Sequence, residues 1–269
     1  MKTFLKYLLL LAGAAVFAYP FLWMIAGSLK PELEINRLDL WSSHFTLSGY
    51  RQVVTKMPIG RAFLNSLFVS LSVTASVVFL GSMAGYALAK LRFRGNNLIY
   101  LLILFTMMIP FQITLIPQYV LMVKLGWTDT YFSLIVPGMM TGFSIVLFRQ
   151  FFMGIPEALI DAARIDGCSD LRILFRIIWP LSRPVIITVA ILTFMASWND
   201  VLWPLIVIRE RSLMTMPQLV TIFTIGGEAE SQLGALLAAA TMLALPVVLA
   251  YAFFQRYFIE SFASSGLKG

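Results

Sequence analysis

The chain reads as an all-α integral membrane protein with six transmembrane helices, a class set by three observations. Apolar residues make up 59% of its 269 positions and charged residues 12%, too little polar material to coat a water-soluble globule of that length. The mean hydropathy is +0.86. Six apolar stretches are each long enough to cross a hydrocarbon layer of roughly 30 Å, which takes about 20 helical residues. They are expected near Phe4–Leu29, Ala62–Lys90, Leu98–Pro117, Phe132–Phe152, Val185–Ile208 and Leu233–Phe254. With no obvious internal repeat and no low-complexity linker, residues 1–269 are expected to form one transmembrane domain.

The first stretch follows Lys2 and Lys6 as a secretory signal would, but its apolar run continues through Ile25. That exceeds the usual signal core of about 7–15 residues, and Tyr19-Pro20-Phe21-Leu22-Trp23 is a poor cleavage context, so it reads as a retained anchor. The second stretch carries small residues at four-residue spacing, Ser66 and Ser70, Ser72 and Ser76, Gly81 and Gly85. Such spacing lets helix backbones approach closely in lipid, and ordinary packing within the bundle accounts for it. Pro20, Pro110, Pro137, Pro204 and Pro246 lie within or beside the stretches and predict kinks, which membrane helices tolerate when neighbours satisfy the freed carbonyls.

Loop charges choose the orientation, because Lys and Arg concentrate on the side that stays cytoplasmic. An inside N-terminus puts Lys2, Lys6, Lys90, Arg92, Arg94, Arg149, Arg164, Arg172, Arg176, Arg183, Arg256 and Lys268 inside. Outside it leaves Lys30, Arg37, Arg51, Lys56, Arg61, Lys124, Arg209 and Arg211, so the division is 12 to 8 of 20. Most of the outside residues sit in the longer loop Lys30–Arg61, which counts least. Both termini are expected in the cytoplasm. The same distribution explains the net charge of +7 without nucleic acid. Cys168 is the only cysteine and His44 the only histidine, which leaves no disulfide within the chain and no metal cluster built on either.

One polar segment, Ile155–Pro184, interrupts this oily pattern. Pro156–Ile165 reads as a helix with Pro156 at the permissive first position and Glu157 in the first turn, where the helix dipole favours negative charge. Gly167 ends it. Ser169 is a good cap for a second helix reaching Ile178, before Pro180 and Pro184 redirect the chain. Glu157 and Asp161 share a face as a like-charge pair, with Arg164 three residues on to relieve it. Ala158, Ala162 and Ala163 keep the surface low, as for a helix received by another protein's groove; a solvated amphipathic loop would look similar.

Asp161-Ala162-Ala163, Gly167, Ile177 and Pro180 resemble the EAA loop of ABC-importer membrane subunits, whose pattern is E-A-A-x3-G-x9-I-x-L-P. Asp161 stands where that family has Glu, and Trp179 where it has Leu. The resemblance extends to Ser28-Leu29-Lys30-Pro31, to Ser197-Trp198-Asn199-Asp200-Val201-Leu202-Trp203-Pro204-Leu205, and to the ending Gln255-Arg256-Tyr257-Phe258 through Gly269. In these runs the chain is similar to carbohydrate-uptake permeases of the maltose-transporter type. The resemblance implies a type I ABC importer permease fold in a bacterial or archaeal inner membrane, pairing with a second homologous permease. It implies a cytoplasmic ABC ATPase dimer that carries ATP and Mg, and an extracytoplasmic solute-binding protein. Glu157, Asp161, Ala162, Ala163, Arg164, Asp166 and Gly167 are then expected to couple to the ATPase, and the tail Ser264–Gly269 is a second candidate contact.

The residues agree with a division of labour, since the chain has no G-x-x-x-x-G-K-[ST] loop to cradle ATP phosphates. No cofactor is expected in this chain and no catalysis. In the fifth stretch Trp198, Asn199 and Asp200 are candidates for the solute path, because aromatics stack on sugars and a carboxamide and carboxylate hydrogen-bond them. Interfacial anchoring by Trp198 and Trp203 is the other reading. An ion-coupled secondary transporter would need several intramembrane acids and commonly an inverted repeat. Asp200 is the one carboxylate found within an expected span. A membrane enzyme would need clustered His or Asp motifs that the chain lacks.

Overall fold

In the computed structural model, residues 2–36, 39–42, 44–225 and 232–266 are described, and all their regular structure is helical. In chain order the helices are α1 (Lys2–Ser28), α2 (Ser48–Lys56), α3 (Ile59–Lys90), α4 (Asn96–Met107), α5 (Phe111–Leu125), α6 (Tyr131–Ile135) and α7 (Gly142–Met153). There follow α8 (Glu157–Ile165), α9 (Asp170–Ile173), α10 (Trp179–Leu181), α11 (Arg183–Trp198), α12 (Leu202–Val207), α13 (Met216–Ile225) and α14 (Leu233–Gly266). They form two compact units, residues 1–63 with 214–249 and residues 64–213 with 250–269.

Among the described residues, three stretches are long and apolar enough to cross a membrane as single elements: Thr3–Ser28, Ile59–Lys90 and Tyr131–Met153. Two further apolar helix pairs are sharply bent, and the kink expected at Pro110 within Leu98–Pro117 is a full break: α4 and α5 meet at 99°. Pro110 is the reason. It lacks an N–H and forces its predecessor out of helical geometry, and it caps α5 in an extended conformation. Pro20, Pro117 and Pro246 by contrast lie inside α1, α5 and α14. The stretch expected as one helix over Val185–Ile208 likewise breaks, ending α11 at Trp198 and resuming as α12 at Leu202.

In the first unit, Gly49 of α2 approaches the start of α14 so closely that a Cβ there would lie 2.5 Å from the Gly234 carbonyl oxygen. Glu32 completes this junction by accepting from the Gly234 N–H at 3.2 Å, a carboxylate set on the positive end of α14. Lys30, whose side chain is fully buried, pairs with Asp39 at 2.6 Å.

In the second unit α3 is the central post, with α7 packed on it through the expected small residues. A Cβ on Gly81 would lie 2.7 Å from Ser144 Oγ, and one on Gly85 2.6 Å from Phe148 Cβ and 3.0 Å from the Arg149 nitrogen. Ser66 and Ser70 are buried on the same helix. The spacing therefore serves packing. Small residues lower the surface of α3 until Ser144 and Phe148, both buried, fill the space against it.

Candidate functional site

The segment between α7 and α11 forms a helix, a glycine turn and a second helix. Pro156 caps α8 from outside it, one position earlier than expected, and helical hydrogen bonding begins at Glu157. Asp166 and Gly167 close α8 in a Schellman arrangement: Cys168 N–H donates to the Ala163 carbonyl at 2.9 Å and Gly167 N–H to that of Arg164 at 3.0 Å. Gly167 holds φ of +77°, the left-handed conformation that only glycine adopts freely. Ser169 caps α9 as expected, its hydroxyl accepting from the Arg172 N–H at 3.4 Å.

Beyond α9 the structure corrects the expected second helix. A π-turn over Leu174–Ile178 leads into α10, and the chain runs past Pro180 before bending 87° at Ser182. A wide turn just ahead of a proline accommodates its missing N–H, so Pro180 does not end the segment; Pro184, in the first turn of α11, starts the next one.

Two buried side chains, Ile160 and Ala163, seat α8 on the unit. Its outer face presents Glu157, Asp161, Ala162 and Arg164, together with Leu159 (45% exposed) and Ile165 (86% exposed); Asp166 and Gly167 at the turn are exposed as well. Arg164 lies 3.7 Å from Asp161 and donates to Asp170 Oδ1 at 3.0 Å. The Asp170 hydrogen bond raises the Arg164 pKa further, so this guanidinium stays charged at any physiological pH.

The segment is held by a ladder along one face of α3, which sequence reasoning missed. Phe79 stacks on Phe175 with ring centroids 5.4 Å apart, and Ser82 Oγ accepts from the Trp179 indole at 3.1 Å. Tyr86 donates to Asp170 Oδ1 at 3.1 Å. Lys90 donates to the Ile155 carbonyl at 2.7 Å and stands 3.7 Å from Glu157 Oε1. Spacings of three, four and four residues put Phe79, Ser82, Tyr86 and Lys90 on one stripe, a signal present in the sequence but hidden among apolar neighbours. Trp179, the departure from the family pattern, supplies an indole donor that a leucine would lack. Asp170 is the hub, accepting from both Tyr86 and Arg164.

Elsewhere in the same unit is a cavity of about 490 Å³. Its wall combines Phe111, Phe143 and Trp203 with the polar groups of Gln118, Thr141, Thr193, Ser197 and Asp200. Of its lining residues Asp200 alone ionises, and none is Lys or Arg. The three path candidates part company here. Asp200 lines the cavity and accepts from the Trp203 N–H at 3.5 Å. Trp198 is fully buried and stacks on Phe194 at 5.7 Å. Asn199 is exposed, folding its amide back on the Met195 carbonyl at 2.8 Å. The tail candidate Ser264–Gly269 ends outside the described residues from Leu267 on.

Comparison with known proteins places these features. The family model described as binding-protein-dependent transport system inner membrane component matches residues 77–263, which include the α3 ladder, the polar segment and every lining residue of the cavity but Val73. The arabinooligosaccharides transport system permease protein AraQ of Halalkalibacterium halodurans is 37% identical over 262 residues, covering 95% of this chain and 93% of that one. Its Bacillus subtilis namesake is 34% identical, covering 94% and 92%. The sn-glycerol-3-phosphate transport system permease protein UgpE of Pectobacterium atrosepticum is 32% identical, covering 86% and 79%. A crystal structure of a bacterial ABC transporter involved in the import of the acidic polysaccharide alginate contains a chain of the same fold, with a TM-score of 0.83, 24% identity and 96% coverage of both chains.

Proposed function

The chain belongs to the family of inner membrane components of binding-protein-dependent transport systems, and on that premise we propose that it moves a neutral sugar or oligosaccharide, driven through α8 by a separate ATPase. It is a transport subunit and not an enzyme. The observation that carries the reading is the α3 ladder. A helix exposed on its outer face and bolted through Asp170 and Lys90 to a membrane-length helix transmits force, whereas a loosely tethered loop would not.

In this reading residues 1–269 act as one permease domain. Six spans are formed by α1, α3, the bent pair α4–α5, the stretch Tyr131–Met153, α11 with α12, and α14, with both termini cytoplasmic. A second, homologous permease completes the path, an ABC ATPase dimer holds ATP and Mg, and an extracytoplasmic binding protein delivers solute. Glu157, Asp161, Ala162, Arg164, Asp166 and Gly167 form the coupling surface, with Leu159 and Ile165 adding apolar contact; Ala163, expected among them, is buried and supports the helix from its inner face. Closure of the ATPase moves α8, and the ladder carries the motion into α3. Only binding that differs between the inward-open and outward-open states can drive this exchange.

The cavity supplies the solute class. Aromatic faces and several hydroxyl or amide groups suit a polyhydroxylated ligand, while a lone carboxylate without a cation disfavours a phosphate. Asp200 is the path residue proposed to touch solute; Trp198 stiffens the wall behind it, and Asn199 lies one position out. This lining favours the neutral oligosaccharides in the AraQ names over glycerol phosphate.

Uptake by cells carrying the intact transporter tests the coupling surface. Gly167→Pro cannot adopt φ of +77° and deletes an N–H that bonds Arg164, so uptake and co-purification of the ATPase should both fall sharply. Asp161→Lys should weaken co-purification by reversing an exposed charge. Wild-type behaviour of both variants would remove α8 as the coupling element.

A further inference from the structure

We propose that the basic recess between the end of α3 and the start of α4 holds the phosphate of an anionic membrane phospholipid. The recess has a volume of about 580 Å³, and its lining includes Lys90, Arg92, Arg94, Asn97, Arg149 and Glu157, four cations against one carboxylate. Glu157 already faces Lys90 at 3.7 Å, so the excess positive charge resides on the three arginines. Arg92 and Arg94 are exposed and form no ion pair among the described residues. Arg149 is held with its guanidinium 3.9 Å above the Tyr100 ring, and its buried Nε has no hydrogen-bond partner. A guanidinium held on an aromatic face at the wall of the recess is preorganised for a phosphate, which its outer nitrogens can meet.

The helix leading out of the recess indicates which phosphate. No residue of α4 is buried, and Leu98, Leu101, Leu102 and Phe105 are each about half exposed. Its 12 residues extend roughly 18 Å, close to the half-thickness of a bilayer core of about 30 Å. An apolar track one leaflet long, opening at its head into a cluster of arginines, matches a phospholipid's acyl chain and headgroup. A free phosphate would make no use of the track. Basic pockets of this kind beside membrane helices take anionic headgroups in preference to zwitterionic ones, whose choline cation would meet the arginines.

Native mass spectrometry of the full-length chain, released from detergent carrying either dioleoyl phosphatidylglycerol or dioleoyl phosphatidylcholine, tests the proposal. Retention of phosphatidylglycerol should exceed that of phosphatidylcholine, and the double variant Arg92→Gln/Arg94→Gln should lower this preference by about tenfold. Both arginines are exposed, so the variant should fold, which an unchanged helical circular dichroism spectrum would verify. Arg92→Lys/Arg94→Lys should keep most of the preference, and the charge-matched control Lys124→Gln/Arg209→Gln, remote in sequence from the recess, should keep all of it. Equal retention of the two lipids, or equal loss in the control, overturns the proposal. Displacement of bound phosphatidylglycerol by millimolar inorganic phosphate also overturns it, assigning the recess to a free anion.

Discussion

Asp170 ties the polar segment to α3 more directly than any residue named from the motif alone. Its Oδ1 accepts from Tyr86 at 3.1 Å and from Arg164 at 3.0 Å, joining α3, α8 and α9 at one atom. Hydrogen bonds to charged groups contribute about 1.5–3 kcal/mol when buried; with Asp170 and Arg164 each more than a third exposed, about 1 kcal/mol is the expected loss for Asp170→Ala. Protease cleavage between α8 and α9 should rise in that variant, and transport should fall more than stability does. Tyr86→Phe, which leaves the Arg164 pair intact, should show a weaker form of both effects. Asp200 invites a second experiment at this scale: Asp200→Asn preserves shape and removes charge, so competition by an anionic sugar should strengthen while neutral-sugar uptake persists. Unchanged competition would take the carboxylate off the solute path. The acid in the cavity and the glycine at the turn were legible in the sequence, because residue type alone points to them. The burial of Trp198 was not, since a tryptophan beside a polar pair looks the same in sequence whether it faces solute or packs on Phe194.

The helix α3 carries two faces, and each makes a separate prediction. Against α7, Gly85 leaves no room: a Cβ would meet Phe148 Cβ at 2.6 Å and backbone at 3.0 Å. Gly85→Val should therefore destabilise the unit by about 1–3 kcal/mol, seen as a lower Tm of the purified chain. Toward the polar segment, Ser82→Ala and Trp179→Leu delete two ends of one hydrogen bond, so in a double-mutant cycle their combined cost should be smaller than the sum. Strict additivity would show that the indole acts through packing alone. Most helices were legible from apolar runs, and the small-residue spacing was read correctly as packing. Breaks were not. The sequence predicts a kink at Pro20, Pro110 and Pro246 alike, but of these only Pro110 separates two helices, and which proline breaks a helix depends on the neighbours available to satisfy the freed carbonyls.

The whole molecule is a moving part without a motor. Purified alone it should hydrolyse no ATP above a mock preparation, and turnover by the isolated chain would contradict the division of labour. α1 is apolar over most of its length, and no residue of its most apolar 18-residue stretch is buried, as expected of a surface that meets lipid or another subunit. By itself the sequence determined that the chain is helical, membrane-bound and built around one polar elbow, because hydropathy, glycine and capping residues act locally and leave their mark at fixed spacing. Tertiary structure alone decided that the elbow is bolted to α3, that Asp200 and not Trp198 meets the cavity, and that three arginines converge beside α4. Those outcomes join residues tens of positions apart, and only the folding of helices against one another brings such groups within hydrogen-bonding distance.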